Sequence, residues 1–457
     1  MNPIVINGTV LCDPITGIPR FVYEVVTRLD PLLEGTGLDM RLCYRDDGRP
    51  LHLPELKNIK IVPLKAIKYS YNLVVLPRYL RKHHAFYVGL ASDMLMTRRS
   101  VVVLHDIRPL VMKTDRAFFR FKFWFHCLST KWFARRVFTV SDNQRHLISE
   151  RLGIPLDKIG VTYNGWEHLQ NVQPDMTVFD KLPGVKKKEY YYALGSLAGH
   201  KNFKWVREVA ARNPDKTFVV AGGKDLAAFG SAEADAAQNT SNIFYPGYVT
   251  DGQNKALMQN CKGFLHPAVF EGFGIPPLEA LSLGAPIALA RASCLPELYG
   301  DTARYFDPYD YDVDLDALFA KPAAPPDKVL AKYSWEKTAR FWLDEIKEAA
   351  GRIKELGAGY VVIKSGSRND SREAVDVLYD GREFTIASAP KIEPCYNHGA
   401  GCTYSAAITA GLANGLSVRE AVELAKKFVA AALRGSFKLN EYSGATNHCA
   451  YRLENNK

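Results

Sequence analysis

The chain has 457 residues, 47% hydrophobic and 24% charged, the balance of a folded globular protein with room for two or three cores. No uninterrupted apolar run reaches membrane-spanning length and Met1 to Ile6 begins as a strand, which argues against a transmembrane or exported protein and for the cytoplasm. Eight scattered cysteines without a C-x-x-C pair argue against a disulfide framework or a zinc site, and the net charge of +10 asks for an anionic partner or location.

Ile4-Val5-Ile6-Asn7-Gly8 opens as a strand, and Thr16-Gly17-Ile18-Pro19-Arg20 is a glycine loop over the start of a helical pattern from Phe21. Val101-Val102-Val103-Leu104 is the continuous apolar run expected of a strand buried on both faces of a parallel sheet. It ends in His105-Asp106, at the strand end where open α/β sheets bind ligands, although a buried structural pair is the alternative. From Lys113 to Arg136, Arg116, Arg120, Lys122, Lys131, Arg135 and Arg136 alternate with Phe and Trp residues. Such a helix suits an anionic membrane surface, which would place the protein peripherally at the inner face of the membrane; a core helix with a solvated basic face is the alternative. No nucleic-acid-binding motif accompanies the charge.

Val137 to Asp142 and Val161 to Gly165 read as two further strands, and a polar linker from Glu167 to Glu189 marks a domain boundary. Tyr190 to Leu197, Phe218 to Gly223, Ile243 to Val249 and Pro286 to Ala290 are strands of a second unit, with Gly199-His200-Lys201-Asn202 at a strand-to-helix turn. Strand and helix alternate throughout, so doubly wound parallel sheets are expected.

The most informative stretch is His266-Pro267-Ala268-Val269-Phe270-Glu271-Gly272-Phe273-Gly274-Ile275-Pro276-Pro277-Leu278-Glu279-Ala280. Gly263-Phe264-Leu265 ends a buried strand ahead of it, and Leu278 onward is helical, so a glycine loop feeds a helix start with Pro276 and Pro277 in its first turn. Free N–H groups and a positive dipole end there would attract a phosphate. Glu271 and Glu279 repel phosphate but accept hydrogen bonds from sugar hydroxyls, so the combination suggests a sugar nucleotide.

This stretch resembles the retaining GT-B glycosyltransferases of family 4, especially bacterial mannosyltransferase-like members: Glu271 and Glu279 stand as their E-x7-E motif within EGFGIPPLEA. The resemblance covers about Ile4 to Lys347 and closes with a helix near Ser334-Trp335. It implies two Rossmann-like domains, an acceptor domain over 1–170 and a donor domain over 185–347. It also implies transfer of a hexose from a donor such as GDP-mannose or a UDP-sugar to a glycan or lipid-linked acceptor, without cofactor or metal. By the same resemblance His105 and Glu271 orient the sugar, Lys201 meets the diphosphate, and Glu279 holds ribose hydroxyls. Gly17, Arg20, Gly195, Ser196, Gly272, Phe273 and Gly274 complete the donor site. Two departures stand out: Pro19 replaces the second glycine of the first loop, and Ser196 occupies a place where an arginine is often found. Asp310-Tyr311-Asp312 is read as a solvated acidic loop rather than a metal site.

From 348 to 457 the character changes. Gly359 to Lys364 is a strand, Ala374 to Tyr379 and Glu383 to Ile386 form a hairpin across Asp380-Gly381-Arg382, and Asn397-His398-Gly399 leads into a helix. Gly399-Ala400-Gly401-Cys402-Thr403-Tyr404-Ser405 resembles the anion-hole helix start of ribokinase-superfamily vitamin kinases, the pyridoxine and hydroxymethylpyrimidine kinases. Cys402 stands where the wider superfamily has its aspartate base. The amino-terminal part of such a kinase has no counterpart here, so the segment is expected to have an unpaired sheet edge and an uncovered face. A remnant, an oligomerisation piece or a fusion is expected, with ATP-dependent phosphorylation of a pyridoxine-like alcohol as the rival function.

Overall fold

A computed structural model describes residues 3–67, 70–92, 97–112, 117–196, 198–222, 241–354, 360–364, 373–380, 383–392, 399–438 and 444–455. Lys113, Arg116, Leu197, Gly223, Gly359, Gly381, Arg382, Asn397 and His398 lie outside them.

The first sheet is built from β1 (Ile4–Asn7), β2 (Met40–Asp46), β3 (Ile59–Lys65), β4 (Phe86–Gly89), β5 (Ser100–Val103), β6 (Arg136–Thr139) and β7 (Ile159–Val161). Their order is β3-β2-β1-β4-β5-β6-β7, every pairing parallel. The second sheet runs β10-β9-β8-β11-β12-β13, from β8 (Tyr190–Leu194), β9 (Thr217–Ala221), β10 (Ile243–Gly247), β11 (Gly263–His266), β12 (Ile287–Ala290) and β13 (Arg304–Phe306), again parallel. All four residues of β1, β5, β11 and β12 are buried, because crossover helices cover both faces. The strand order reverses between β1 and β4 in one sheet and between β8 and β11 in the other, and such switch points open crevices at strand carboxyl ends. These are the two doubly wound parallel sheets that the alternation implies, and they fit the GT-B architecture that the resemblance implies.

Helix α1 (Ile18–Leu32) buries Phe21, Val22, Val25, Val26 and Leu29 on one stripe. Helix α2 (Ala117–Phe133) connects β5 to β6, and α3 (Asp142–Leu152) follows β6 with Ser141 as its side-chain N-cap. Helix α4 (Ile275–Ser282) follows β11. Helix α5 (Trp335–Lys354) packs along α1 of the first unit, with Trp335 and Trp342 fully buried in a core shared by both sheets. No helix among the described residues is long and apolar enough to cross a membrane.

The carboxy-terminal segment is a separate three-stranded antiparallel sheet, β14 (Val361–Lys364), β15 (Glu373–Tyr379) and β16 (Phe384–Pro390), under α6 (Ala400–Ala413) and α7 (Val418–Arg434). Leu378, Ala387 and Val422 form its small core. Phe384 and Ile386 on the other face of β16 are each 68% exposed, as the missing kinase half implies.

Candidate active site

Glu271 lies in the loop between β11 and α4, beside the switch point of the second sheet. The loop touches the first unit at backbone level. A Cβ on Gly272 would fall 2.5 Å from the carbonyl oxygen of His105, so only glycine allows that approach. Ser141 Oγ donates to the Gly272 carbonyl at 2.8 Å and Gln144 Nε2 to the Glu271 carbonyl at 3.2 Å, tying the loop to the start of α3. Glu297 accepts from the Asp142 and Asn143 amides at 2.9 and 2.6 Å, capping α3 from the second unit.

Lys201, in the turn after β8, donates to Glu271 Oε1 at 2.6 Å, and His266 Nε2 donates to the same oxygen at 2.8 Å. Oε2 receives no hydrogen bond among the described residues. Burial alone would raise the carboxyl pKa, but the Lys201 ammonium and His266 outweigh it and hold Glu271 well below the usual carboxylate range. The Lys201 side chain is 20% exposed, so its ammonium stands at the edge of the gap.

Glu279, in the second turn of α4, is buried with both oxygens engaged: His168 Nε2 donates to Oε1 at 2.9 Å and Asn254 Nδ2 to Oε2 at 3.1 Å. Burial raises its pKa, and the His168 hydrogen bond reverses the shift to a net lowering. Trp335 Nε1, a donor only, bonds His168 Nδ1 at 3.0 Å, so Nδ1 is the accepting nitrogen and Nε2 carries the proton given to Glu279. A Cβ on Gly165 would lie 2.0 Å from the Trp335 amide nitrogen, so that glycine is what admits the start of α5.

His105 is buried at the end of β5; its Nε2 donates to the Leu90 carbonyl at 2.7 Å, leaving Nδ1 as the acceptor, and burial lowers its pKa. Its ring meets Phe21 edge-on at 4.8 Å, and Phe21 meets Trp335 at 6.0 Å. A continuous set of contacts therefore runs from His105 through Phe21, Trp335 and His168 to Glu279. The interlobe gap also holds Arg20, whose Nη2 bonds Asp251 Oδ2 across it at 2.5 Å beside an open cavity lined by Ile15, Tyr23, His52 and Tyr248.

The other expected positions are placed as follows. Gly17 has φ +55 and faces open space ahead of α1, Gly195 directly follows β8, and Ser196 is exposed beside it. Phe273 is buried against Tyr333 at 5.3 Å, and Gly274 adopts φ +86 as the N-cap of α4. Arg20 points at Asp251, a partner the sequence does not announce. His266 and Trp335 stand in the sequence reading without a site role, and His168 and Asn254 do not appear in it, because a single histidine or asparagine carries no spacing signal when its partner lies up to 167 residues away. Asp310 and Asp312 form a local turn and Asp314 caps a short helix, so the acidic triplets serve the backbone. No group of metal-holding side chains occurs among the described residues.

In the carboxy-terminal segment, Gly399 takes φ +87 as the N-cap of α6 and Cys402 is exposed in its first turn. Ala400 and Gly401 lie between them, and Lys364 Nζ donates to the Gly401 carbonyl at 3.0 Å.

The family Glycosyl transferases group 1 matches residues 176–314, which include Lys201, Glu271 and Glu279, and the family Phosphomethylpyrimidine kinase matches residues 322–447. The Putative pyridoxine kinase of Treponema pallidum (strain Nichols) is 32% identical over 213 residues, 43% of this chain and 79% of that protein. The chain carries a glycosyltransferase group 1 domain, and its carboxy-terminal region belongs to the phosphomethylpyrimidine and pyridoxine kinase family. The Pyridoxine kinase of Bacillus subtilis (strain 168) is 46% identical over 136 residues, 28% of this chain and 50% of that protein. The serotype-specific mannosyltransferase WbdA of Escherichia coli is 23% identical over 420 residues, 84% of this chain and 50% of WbdA. The chain spans half or less of the length of the first four curated relatives it matches. In fold it is similar to Anabaena HepE, solved with UDP and glucose, at TM-score 0.56 and 14% identity over 76% of this chain and 99% of that one. The kinase match begins at 322, ahead of Trp335 and Trp342, which this glycosyltransferase-type fold buries in its main core.

Proposed function

We propose that the protein is a retaining hexosyltransferase that uses a nucleotide-diphosphate sugar, with mannose favoured by the likeness to WbdA. The observation that carries this reading is the convergence of Lys201, Glu271 and the His105 strand end on one interlobe gap. Lys201 swings from Glu271 to the donor diphosphate and stabilises the charge that grows as the C1–O bond breaks. Glu271, ionised and released by Lys201, faces the sugar as it becomes oxocarbenium-like, and the His105 strand end abuts the same loop. Glu279, held by His168 and Asn254, offers its remaining lone pairs to ribose hydroxyls. The leaving diphosphate takes the bonding pair, the acceptor hydroxyl bonds C1 from the same face, and its proton passes to a leaving phosphate oxygen. The acceptor is a glycan or a lipid-linked glycan, as in polysaccharide or O-antigen assembly.

The test is a panel of GDP- and UDP-sugars assayed for donor hydrolysis and transfer with the wild type and Glu271→Gln. Release of nucleotide diphosphate from one donor, lost in the variant, supports the reading; equal turnover of both proteins defeats it. Pyridoxine kinase activity is the rival, favoured by the glycine-rich start of α6. ATP-dependent phosphorylation of pyridoxine that disappears in Cys402→Ala would install it instead.

A further inference from the structure

Helix α2 is turned inside out relative to an ordinary surface helix. Its packed side buries His126, Cys127, Ser129 and Thr130, and only Cys127 and the half-buried Phe123 of this helix pack against the apolar cluster of Leu104, Ile107, Val137 and Ile148. Its outer side carries Phe118 (79% exposed), Phe121 (62%), Trp124 (44%), Phe125 (41%) and Trp132 (62%). At 3.6 residues per turn these five rings fall within an arc of about 120°. Lys122 borders that arc on one side, and Arg120 and Lys131 on the other. No acidic residue occurs between Ala117 and Arg136.

We infer that this face docks on an anionic lipid surface, with the rings at the headgroup boundary and the flanking cations on lipid phosphates. The charge pattern selects that occupant: an apolar stripe with cations on both rims and no acids matches a negatively charged interface. A second copy of the chain would place these like charges against each other. Aromatic side chains also prefer the interfacial zone, where a ring can sit half-immersed. The short helix Arg108–Val111 begins three residues after His105 and packs against α2, so docking brings the His105 side of the gap toward the membrane. That the acceptor is lipid-borne rests on the transfer reading above; the docking itself does not.

Co-sedimentation with phosphatidylcholine vesicles and with mixed phosphatidylcholine and phosphatidylglycerol vesicles, at low and high salt, tests this. The wild type should pellet with the mixed vesicles, weakly with the neutral ones, and less at high salt. Combined Phe121→Ser, Trp124→Ser and Phe125→Ser should lower the partition coefficient at least about tenfold. Combined Lys122→Glu and Lys131→Glu should lower it about fivefold or more per residue while leaving the rings in place. Melting temperature and donor hydrolysis should match wild type in both variants. Failure of the wild type to pellet, equal pelleting by both variants, or an oligomer that the serine variant converts to monomer without vesicle binding would each overturn the inference. An enzyme inactive on every donor that still pellets would defeat the transfer reading and leave the docking intact.

Discussion

β11 and β16 show two different kinds of sheet within one chain. Gly263, Phe264, Leu265 and His266 are all buried, with helices on both faces, and the strand delivers its loop into a gap furnished from two units. Phe384 to Pro390 alternates instead, with Ala387 inside and Phe384 and Ile386 open on the other face. The first sheet belongs to a closed layered unit, the second to one with a single packed layer. Completeness, more than motif content, therefore separates the region that can hold a ligand on all sides from the region that displays a kinase-type helix start with half its surroundings.

The sharpest way to break this contrast is to remove the charge at the centre of the closed region. Glu271→Gln should reduce transfer about 100-fold to 1,000-fold, with circular dichroism unchanged, since preorganised charge of this kind is worth that much in a dry site. Next in size is the backbone contact. Gly272→Ala puts a methyl against the His105 carbonyl, and it should cost about 1–3 kcal/mol in denaturant titrations and reduce transfer with it. His168→Ala takes a hydrogen bond from a buried carboxylate and should raise donor KM about tenfold with kcat less affected, a split that steady-state kinetics resolves.

A pH titration sharpens the same contrast. Burial pushes His126 down from 6.5 to about 4, so the folded chain keeps it neutral while the unfolded chain takes up a proton as pH falls below 6.5. Stability present above pH 6.5 is thus lost between 6.5 and about 4, by about 3 kcal/mol, and His126→Leu should flatten that part of the profile in thermal melts. Glu271 and Glu279, both depressed, add a further loss only as pH falls below their ordinary 4.5. The smallest effect should come from the open region: Cys402→Ala should leave sugar transfer unchanged in the full chain.

The sequence made the parallel sheets legible through uninterrupted apolar strands, and the loop legible because two glycines, two prolines and two glutamates crowd into nine residues from Glu271 to Glu279. It also announced the exposed edge of the tail, through the missing kinase half. What it hid was the wiring. His168 lies 111 residues from Glu279, Arg20 lies 231 from Asp251, and Trp335 reaches back 167 residues to His168. None of these partners has a local pattern, because each is fixed by how the units stack rather than by helix or strand period. The aromatic segment was ambiguous for a related reason: periodicity tells which side of α2 is apolar, but only packing tells which side faces out.

The long helix α5 gives the tail a mechanical address. Its first residue hands a hydrogen bond to the imidazole beneath Glu279, and about 30 Å of rigid rod separates that end from the chain that enters β14. Any shift in the start of α5 is therefore also a shift of the imidazole that holds the carboxylate proposed to grip the ribose.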